Sequence, residues 1–384
     1  MRIESKIQET IADIPPRDEA DITVSTDRWV KAADESTEDP DYLPLAVAAW
    51  GLPGDNPNPG DKNWPHPRTE QLDDPRKMLL GELLKARRTA VFPTDAISIV
   101  APTFGNSFLL TALGLDQMIS ETGDVYLAER PLREEIERLS VPDDLAQAGL
   151  FPKVIECLRY YKSVLPPHIK IGLYYMMSPY DLAYLLRGVE LLTDLYDDPE
   201  SVHRVLRLTT DLFVRATKLL KAEIAEPDDR FLYIDRAYKG GGLLCEDACI
   251  LLSPDQHREF SVPYTIEALD ALGGGCIHFC GDGRHIVDNY LALPNMSGVL
   301  FGQLNLNGSR EDMIRRFVKA RRTINLGMDQ RNGESIGDCF RRALSLTDRR
   351  KGIHLGAGAP VDSRQRGEAL LKTWHDVQDE VFHG

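Results

Sequence analysis

The chain has 384 residues, of which 42% are hydrophobic, so it is long enough to bury a large core as one elaborated barrel or as two domains. Its formal net charge of -15 at pH 7 argues against nucleic acid and against an anionic membrane surface as partners, because both would repel it. We therefore expect a small molecule or another protein as the partner, and homodimerisation stays open.

The cysteine content and the first residues indicate the compartment. Six cysteines in a chain this long, with a charged start and no apolar segment after it, do not indicate a secreted disulfide framework. No apolar run approaches the roughly 20 residues that cross a bilayer. We therefore expect a cytoplasmic protein without a membrane span.

The first 95 residues are the least regular part of the chain. The stretch "GLPGDNPNPGDKNWPHP", residues 51–67, holds five prolines and three glycines, so it predicts a long loop rather than a helix or a central strand. We therefore predict an irregular N-terminal extension over residues 1–95 and a barrel domain over residues 96–384.

From Ala96 onward, short apolar runs alternate with helical periodicity. The predicted strands are "AISIVAPTFG", "KIGLYYM", "FLYIDRAY", "CIHFC", "GVLFGQLN", "TINLGMD" and "GIHLGAG". Between them, Ser-Pro or Asp-Pro pairs that begin at Ser178, Asp198 and Ser253 predict capped helix starts, and Pro263 should end or kink the last of these helices. This rhythm, without a glycine-rich dinucleotide fingerprint, predicts an α/β fold of the (β/α)8 TIM-barrel type, whose active site lies where strands end.

One such strand end, "CIHFCGDGRH", carries candidate metal ligands. Cys276, His278 and Cys280 alternate along a strand and therefore share one face, with about 6.6 Å between successive members. His278 and Cys280 can bind one ion together, and nitrogen and sulfur ligands suit zinc. Cys276 lies deeper and is expected to pack as a small hydrophobe. Chance and core packing also explain a His-x-Cys pair, but the Gly-Asp-Gly turn that follows favours a site.

Several motifs in one order carry a family resemblance. They are "SPYDLAYLLRG", "DLYDDPESVHRVL", "CEDACILLSPDQHREFSVPY", "IHFCGDG" and "INLGMD". In these motifs the chain resembles the uroporphyrinogen decarboxylase superfamily from about Ala96 to Val381. The resemblance implies a (β/α)8 barrel with its site at the carboxyl ends of the strands.

Two branches of that superfamily use different residues to bind their substrates and metals. Porphyrinogen decarboxylases hold substrate carboxylates with an arginine-rich N-terminal segment, whereas "STDRWVKAADES" offers only Arg28 and Lys31. The chain looks closer to the zinc-dependent methyltransferases, which move a methyl group between a corrinoid and a thiol or similar acceptor. That resemblance implies His278 and Cys280 as zinc ligands, a corrinoid such as cobalamin as cofactor, and a corrinoid protein as a candidate partner.

The chain departs from this branch at the third zinc ligand. The branch has a cysteine in a Gly-Cys pair on the last strand, where "GIHLGAGAPVD" offers Ala357 instead. We take Glu246, an acidic residue of "CEDAC", as the expected replacement. The alternatives left open are Cys245, Asp247, Cys249, Asp282, His285 and His354.

Two other functions remain open, together with a set of substrate contacts. A metal-free lyase or decarboxylase would use Asp282, His285 and Asp247 as catalytic acid and base. A non-catalytic protein could instead bind a corrinoid or another tetrapyrrole. The predicted substrate-binding residues, expected to gather with Asp235 and His278 around one cavity, are Tyr175, Gln303, Asp329 and His354.

Overall fold

The computed structural model describes residues 2–52, 64–302, 310–327, 330–360 and 364–383. Most of the predicted Pro/Gly-rich loop, together with Gln303 and Asp329, lies outside these residues. The strands in chain order are β1 (Leu45–Trp50), β2 (Ile99–Val100), β3 (Gln117–Ile119), β4 (Val125–Leu127), β5 (Lys170–Ile171), β6 (Met176–Met177), β7 (Arg230–Tyr233), β8 (Arg236–Lys239), β9 (Gly242–Cys245), β10 (Gly275–Phe279), β11 (Met296–Phe301), β12 (Thr323–Gly327) and β13 (Ile353–Pro360).

Helices separate most of these strands. They are α1 (Ile3–Ala12), α2 (Glu19–Ala33), α3 (Arg68–Asp73), α4 (Pro75–Thr89), α5 (Arg133–Ile136), α6 (Phe151–Val164), α7 (Pro179–Arg187), α8 (Glu190–Asp197), α9 (Pro199–Ile224), α10 (Pro254–Phe260), α11 (Val262–Ala271), α12 (Val287–Leu291), α13 (Arg310–Lys319), α14 (Ile336–Leu344) and α15 (Arg364–His383). Among the helices described, none combines the length and the apolar character needed to cross a membrane.

The parallel strands follow one another around a barrel. Seven of them form one sheet in the order β1-β13-β12-β11-β10-β9-β6, and β2 pairs with β5. Strands β5 and β6 lie in one short stretch, residues 170–177, and together occupy one position of the barrel. Strand β2, which pairs with β5, therefore occupies the eighth position. Between β1 and β2, Leu45 and Asp95 exchange two hydrogen bonds: the Leu45 N–H donates to Asp95 Oδ2 at 3.1 Å, and the Asp95 N–H donates to the Leu45 carbonyl at 3.0 Å. The predicted (β/α)8 barrel is confirmed.

The boundary predicted at residue 95 needs correction, because the barrel begins earlier. Strand β1 pairs in parallel with β13 along its whole length, from Leu45 opposite Leu355 to Trp50 opposite Pro360. Its sequence "LAVAAW" is a short apolar run, as parallel strands buried on both faces are. The extension ahead of the barrel therefore comprises α1, α2 and the segment that follows them.

Polar side chains close the amino-terminal end of the barrel, which we call the floor. The α2 residue Trp29 donates its indole N–H to the Asp95 carbonyl at 2.8 Å. The buried Arg236 guanidinium, carried by the β7–β8 hairpin, lies 4.9 Å from the centre of the Trp29 ring and donates to Asn325 Oδ1 at 2.6 Å. These contacts tie α2 and the β7–β8 hairpin to the floor of the barrel.

The predicted helix starts are confirmed by their caps. The side chains of Ser178, Asp198 and Ser253 each accept a backbone N–H from three residues further on, at 3.3, 3.1 and 3.2 Å. Helix α10 ends at Phe260, and α11 begins at Val262 with Pro263 in its first turn. A proline lacks the N–H that a helix interior needs, and this explains the break.

Strand β10 shows how the barrel sorts its side chains. Ile277 and Phe279 are fully buried in the main core, which the barrel forms with its helices. Cys276 instead packs with Tyr238 and Leu300 in a smaller cluster on the inner face. His278 follows Cys276 by two residues, so it also faces the interior, as the alternation predicted.

Candidate metal centre at the carboxyl ends of strands β9 and β10

Two adjacent strands end in metal-binding residues at matching positions. In the parallel β9–β10 ladder, Cys245 is the partner of His278. Asp247 follows Cys245 by two residues, and Cys280 follows His278 by two residues. The sequences "CED" and "HFC" therefore bring four potential ligands to one place, which we call the four-donor cluster.

The ligand atoms of the cluster lie close together. One ligand atom each from Cys245, Asp247 and His278 lie within 4.8 Å of one another. Cys280 Sγ is 3.5 Å from His278 Nε2, and Asp247 Oδ1 is 3.8 Å from the same nitrogen. The Cys280 backbone N–H also donates to Asp247 Oδ1 at 2.7 Å, which ties the two strand ends together.

The members of the cluster differ in depth. Cys245 has no exposed surface, whereas the side chains of His278 and Asp247 are 22% and 34% exposed. Cys280 is half-buried. Asp247 therefore lies on the solvent side of the cluster and Cys245 on the protein side.

The electrostatics of the cluster suit a divalent cation. Burial lowers the pKa of His278, although nearby Asp247 acts in the opposite direction, so the ring keeps a free lone pair at neutral pH. Burial and the Asp247 carboxylate raise the pKa of Cys280 to about 11, and burial together with the Asp181 and Asp247 carboxylates raises the pKa of Cys245. A bound cation favours the thiolate forms and releases protons. Nitrogen, sulfur and carboxylate oxygen are the ligands that zinc takes in proteins, so the cluster fits zinc.

Aromatic rings flank the cluster. The Tyr175 ring lies 6.0 Å from the His278 ring at an interplanar angle of 27°, and 4.3 Å from the Tyr174 ring. Burial raises the pKa of Tyr175, so its hydroxyl stays protonated at neutral pH. The structure thus brings Tyr175 to the cluster, and its role in substrate binding stays a prediction.

Glu246, the expected third zinc ligand, lies on the other side of the strand. Its neighbours Cys245 and Asp247 face the cluster, and strand alternation turns the residue between them away. Glu246 Oε1 accepts the Thr265 hydroxyl at 2.6 Å, and burial raises the pKa of Glu246 to about 7. Its potential metal-binding neighbours are Cys249 and His257, both buried. The carboxylate that accompanies His278 and Cys280 is therefore Asp247, one of the alternatives left open by the sequence.

The other two catalytic candidates lie apart from Asp247. Asp282 pairs with Arg284, whose guanidinium holds the pKa of that carboxyl below its ordinary value. The exposed His285 donates through Nε2 to the Leu252 carbonyl at 2.9 Å. Within the described residues, no hydrogen bond or ion pair joins Asp282 or His285 to the four-donor cluster.

His354 and Asp235 lie at the floor rather than beside His278. His354 is fully buried, and its Nε2 donates to the Trp29 carbonyl at 2.8 Å. Asp235 accepts from Arg236 Nε at 2.7 Å. His354 is the second residue of β13, near the strand's amino end, whereas the site lies at the carboxyl ends. Of those predicted cavity residues that the structure describes, it therefore brings only Tyr175 and His278 together at the strand ends.

Ala357, which stands where the resemblance implied a cysteine, faces away from the barrel interior. Its strand partner is Val47, and both residues pack in the main core outside the sheet. The preceding Gly356 faces inward, where a Cβ would lie 2.7 Å from Arg236 Nη2. A side chain at position 357 therefore does not point toward the cluster.

Comparison with known proteins agrees with the barrel. A family model described as uroporphyrinogen decarboxylase (URO-D) matches residues 69–304, well over half of the chain. The fold is similar to the solved structure of a methyltransferase from Methanosarcina mazei, with a TM-score of 0.62 and 17% sequence identity over 92% of this chain and 98% of that chain. No curated protein matches the sequence. The chain therefore belongs to the uroporphyrinogen decarboxylase (URO-D) family.

Proposed function

We propose that this protein is a methyltransferase-type enzyme that moves a methyl group between a corrinoid and a thiol or similar acceptor, with the help of zinc. The observation that carries the proposal is the convergence of His278, Cys280 and Asp247 at the carboxyl ends of β9 and β10. Membership of the URO-D family and the fold shared with a methyltransferase support it.

His278, Cys280 and Asp247 would hold the zinc ion. Zinc bound there would lower the pKa of an acceptor thiol and keep it as the nucleophilic thiolate. Burial keeps His278 neutral and able to bind. The hydrogen bond from the Cys280 N–H fixes the Asp247 carboxylate beside the histidine ring.

The tyrosines beside His278 would position the substrate. Tyr175 and Tyr174 form an aromatic wall next to the imidazole, where they would limit the access of water. The partly exposed Asp247 marks the side from which an acceptor would enter. A free corrinoid or a corrinoid protein would bring the methyl group to that side.

The metal-free lyase has less structural support. It needs an acid and a base next to one substrate, but Asp282 is paired with Arg284 and His285 with the Leu252 carbonyl, apart from Asp247. A general acid or base must lie within hydrogen-bonding reach of the proton that it transfers.

The test measures the zinc content of the protein and its methyl transfer activity in the same preparation. Protein purified without chelator should contain about one zinc ion per chain, and it should transfer methyl from methylcobalamin to a small alkanethiol, followed by the visible absorbance of the corrinoid. Removal of zinc should abolish transfer, and reloading should restore it. Protein that neither holds zinc nor transfers methyl, but remains folded, would overturn the proposal.

A further inference from the structure

We infer that Cys245 supplies the second thiolate of the metal centre, so that all four ligands come from two adjacent strands: Cys245 and Asp247 after β9, His278 and Cys280 after β10. This inference rests on the proposed zinc site. It assigns to β9 the sulfur ligand that the last strand does not provide.

The last strand has no suitable donor toward the cluster within the described residues. Ala357 faces the outer core with Val47. His354 is held at the floor by the Trp29 carbonyl. Within the described residues, a second sulfur ligand can therefore come only from another strand.

The register of β9 and β10 places Cys245 correctly. It lies directly opposite His278 in a parallel ladder, and paired residues of neighbouring strands lie about 4.8 Å apart on the same face. Asp247 and Cys280 repeat this arrangement one step closer to solvent, where the Cys280 N–H bonds the Asp247 carboxylate. Two donors from β9 thus face two donors from β10, rather than forming a line along one strand.

The distances are those of ligands that share one ion. Zinc bonds of about 2.3 Å to sulfur and 2.05 Å to nitrogen, at a tetrahedral angle, place the two atoms about 3.6 Å apart. Cys280 Sγ and His278 Nε2 are already 3.5 Å apart. The ligand atoms of Cys245, Asp247 and His278 lie within 4.8 Å of one another, and Cys280 joins this group through its 3.5 Å approach to His278 Nε2.

The other nearby cysteines are held elsewhere. Cys276 lies deeper on β10, with its sulfur 3.3 Å from Ser297 Oγ. Cys249 lies in a short 3-10 helix, Ala248–Leu251, with its sulfur 3.3 Å from Ser261 Oγ and next to Glu246 on the far side of the strand. Cys245 is buried, and its sulfur lies within 4.8 Å of ligand atoms of Asp247 and His278.

The experiment counts thiolates on the bound metal. The zinc is exchanged for Co²⁺, whose thiolate charge-transfer absorption grows with each sulfur ligand, and zinc affinity is measured by competition with a chromophoric chelator. Cys245→Ser should lose about half of the charge-transfer intensity. It should also bind zinc about 10- to 100-fold more weakly, because a hydroxyl is a poor zinc ligand. Cys276→Ser, the matched control on the same barrel face, should match the unmodified chain in both measurements.

A second measurement needs no substitution, which matters if Cys245→Ser does not fold. X-ray absorption of the zinc-loaded chain should show two sulfur neighbours. One sulfur neighbour, or a folded Cys245→Ser protein with unchanged cobalt spectrum and zinc affinity, would overturn the inference and leave the proposed function standing. An unmodified chain that binds no metal would overturn the proposed zinc site itself.

Discussion

The Cys280 backbone N–H donates to Asp247 Oδ1 at 2.7 Å, so the end of one strand positions a side chain from the end of its neighbour. The bond gives Asp247 two separable roles. Its oxygen accepts the N–H, and its charge lies 3.8 Å from His278 Nε2, where a metal ion would also contact it.

Two substitutions of Asp247 separate these roles. Asp247→Asn keeps an oxygen that accepts the Cys280 N–H but removes the charge, so zinc affinity should fall by about 10- to 100-fold while stability changes little. Asp247→Ala should lose zinc affinity and also about 1–3 kcal/mol of unfolding free energy, because the N–H is left without an acceptor. Chelator competition and denaturant unfolding measure both quantities. Equal zinc affinity in Asp247→Asn and the unmodified chain would exclude Asp247 as a ligand.

The paired substitutions Cys280→Ser and Cys276→Ser test whether position on the strand decides metal binding. Cys280 is half-buried beside His278, whereas Cys276 is buried two residues deeper. Elemental analysis of protein purified without chelator should show most of the zinc lost in Cys280→Ser and retained in Cys276→Ser. A Cys280→Ser protein that is less stable but keeps its zinc would indicate that Cys280 only packs.

The proposed methyl donor predicts a bulky ligand. Cobalamin added to the protein should show saturable binding through a change in its visible absorbance, because a corrinoid must reach the carboxyl ends of β9 and β10. Nucleoside triphosphates make a suitable control, since the net charge of -15 disfavours polyanions. Absence of cobalamin binding up to about 1 mM would favour a small-substrate lyase or a donor delivered only on a protein.

The parts predicted well from the sequence are those that depend on local periodicity. The common face of Cys276 and His278 follows from the two-residue repeat of a strand, and the cap at Ser178 follows from the Ser-Pro pair. Strand β1 was missed because a six-residue apolar run beside a proline-rich stretch has no local signal that assigns it to the sheet.

The ligand set could not be chosen from the sequence because it depends on the register between two strands. Glu246 and Asp247 are adjacent carboxylates, and only the exact end of β9 determines which one faces inward. Cys245 lies opposite His278 because β9 and β10 pair, although more than thirty residues of chain separate the two positions. The shared spacing of "CED" and "HFC" was the available signal, but it becomes informative only when the two strands are known to be neighbours.

The orientation of Ala357 predicts the result of restoring a cysteine there. Because Ala357 packs with Val47 outside the sheet, Ala357→Cys should leave zinc affinity unchanged within about twofold, rather than tighten it. Chelator competition on Ala357→Cys decides the matter, and an affinity increase of about tenfold or more would mean that the end of β13 turns this side chain inward.

His354 predicts a pH dependence of stability that is independent of the metal centre. Burial and nearby Arg236 lower the pKa of His354 from 6.5 to about 3 in the folded chain, and its Nε2 donates to the Trp29 carbonyl. Above pH 6.5 the folded and unfolded states both hold this ring neutral, so it adds no pH dependence. Below pH 6.5 the unfolded state takes up a proton that the folded state does not, and the free energy of unfolding should fall by about 1.4 kcal/mol per pH unit until about pH 3.

His354→Gln, whose amide can still donate to the Trp29 carbonyl, should remove that share of the slope. Urea unfolding at a series of pH values between about 6 and 5 measures it, because most carboxylates keep their charge there. His257, whose pKa burial also lowers to about 3, is the matched comparison, and His257→Gln should reduce the slope by a similar amount. A slope in His354→Gln equal to that of the unmodified chain would mean that the folded barrel accommodates a protonated ring at this position, which would require the floor to open to water.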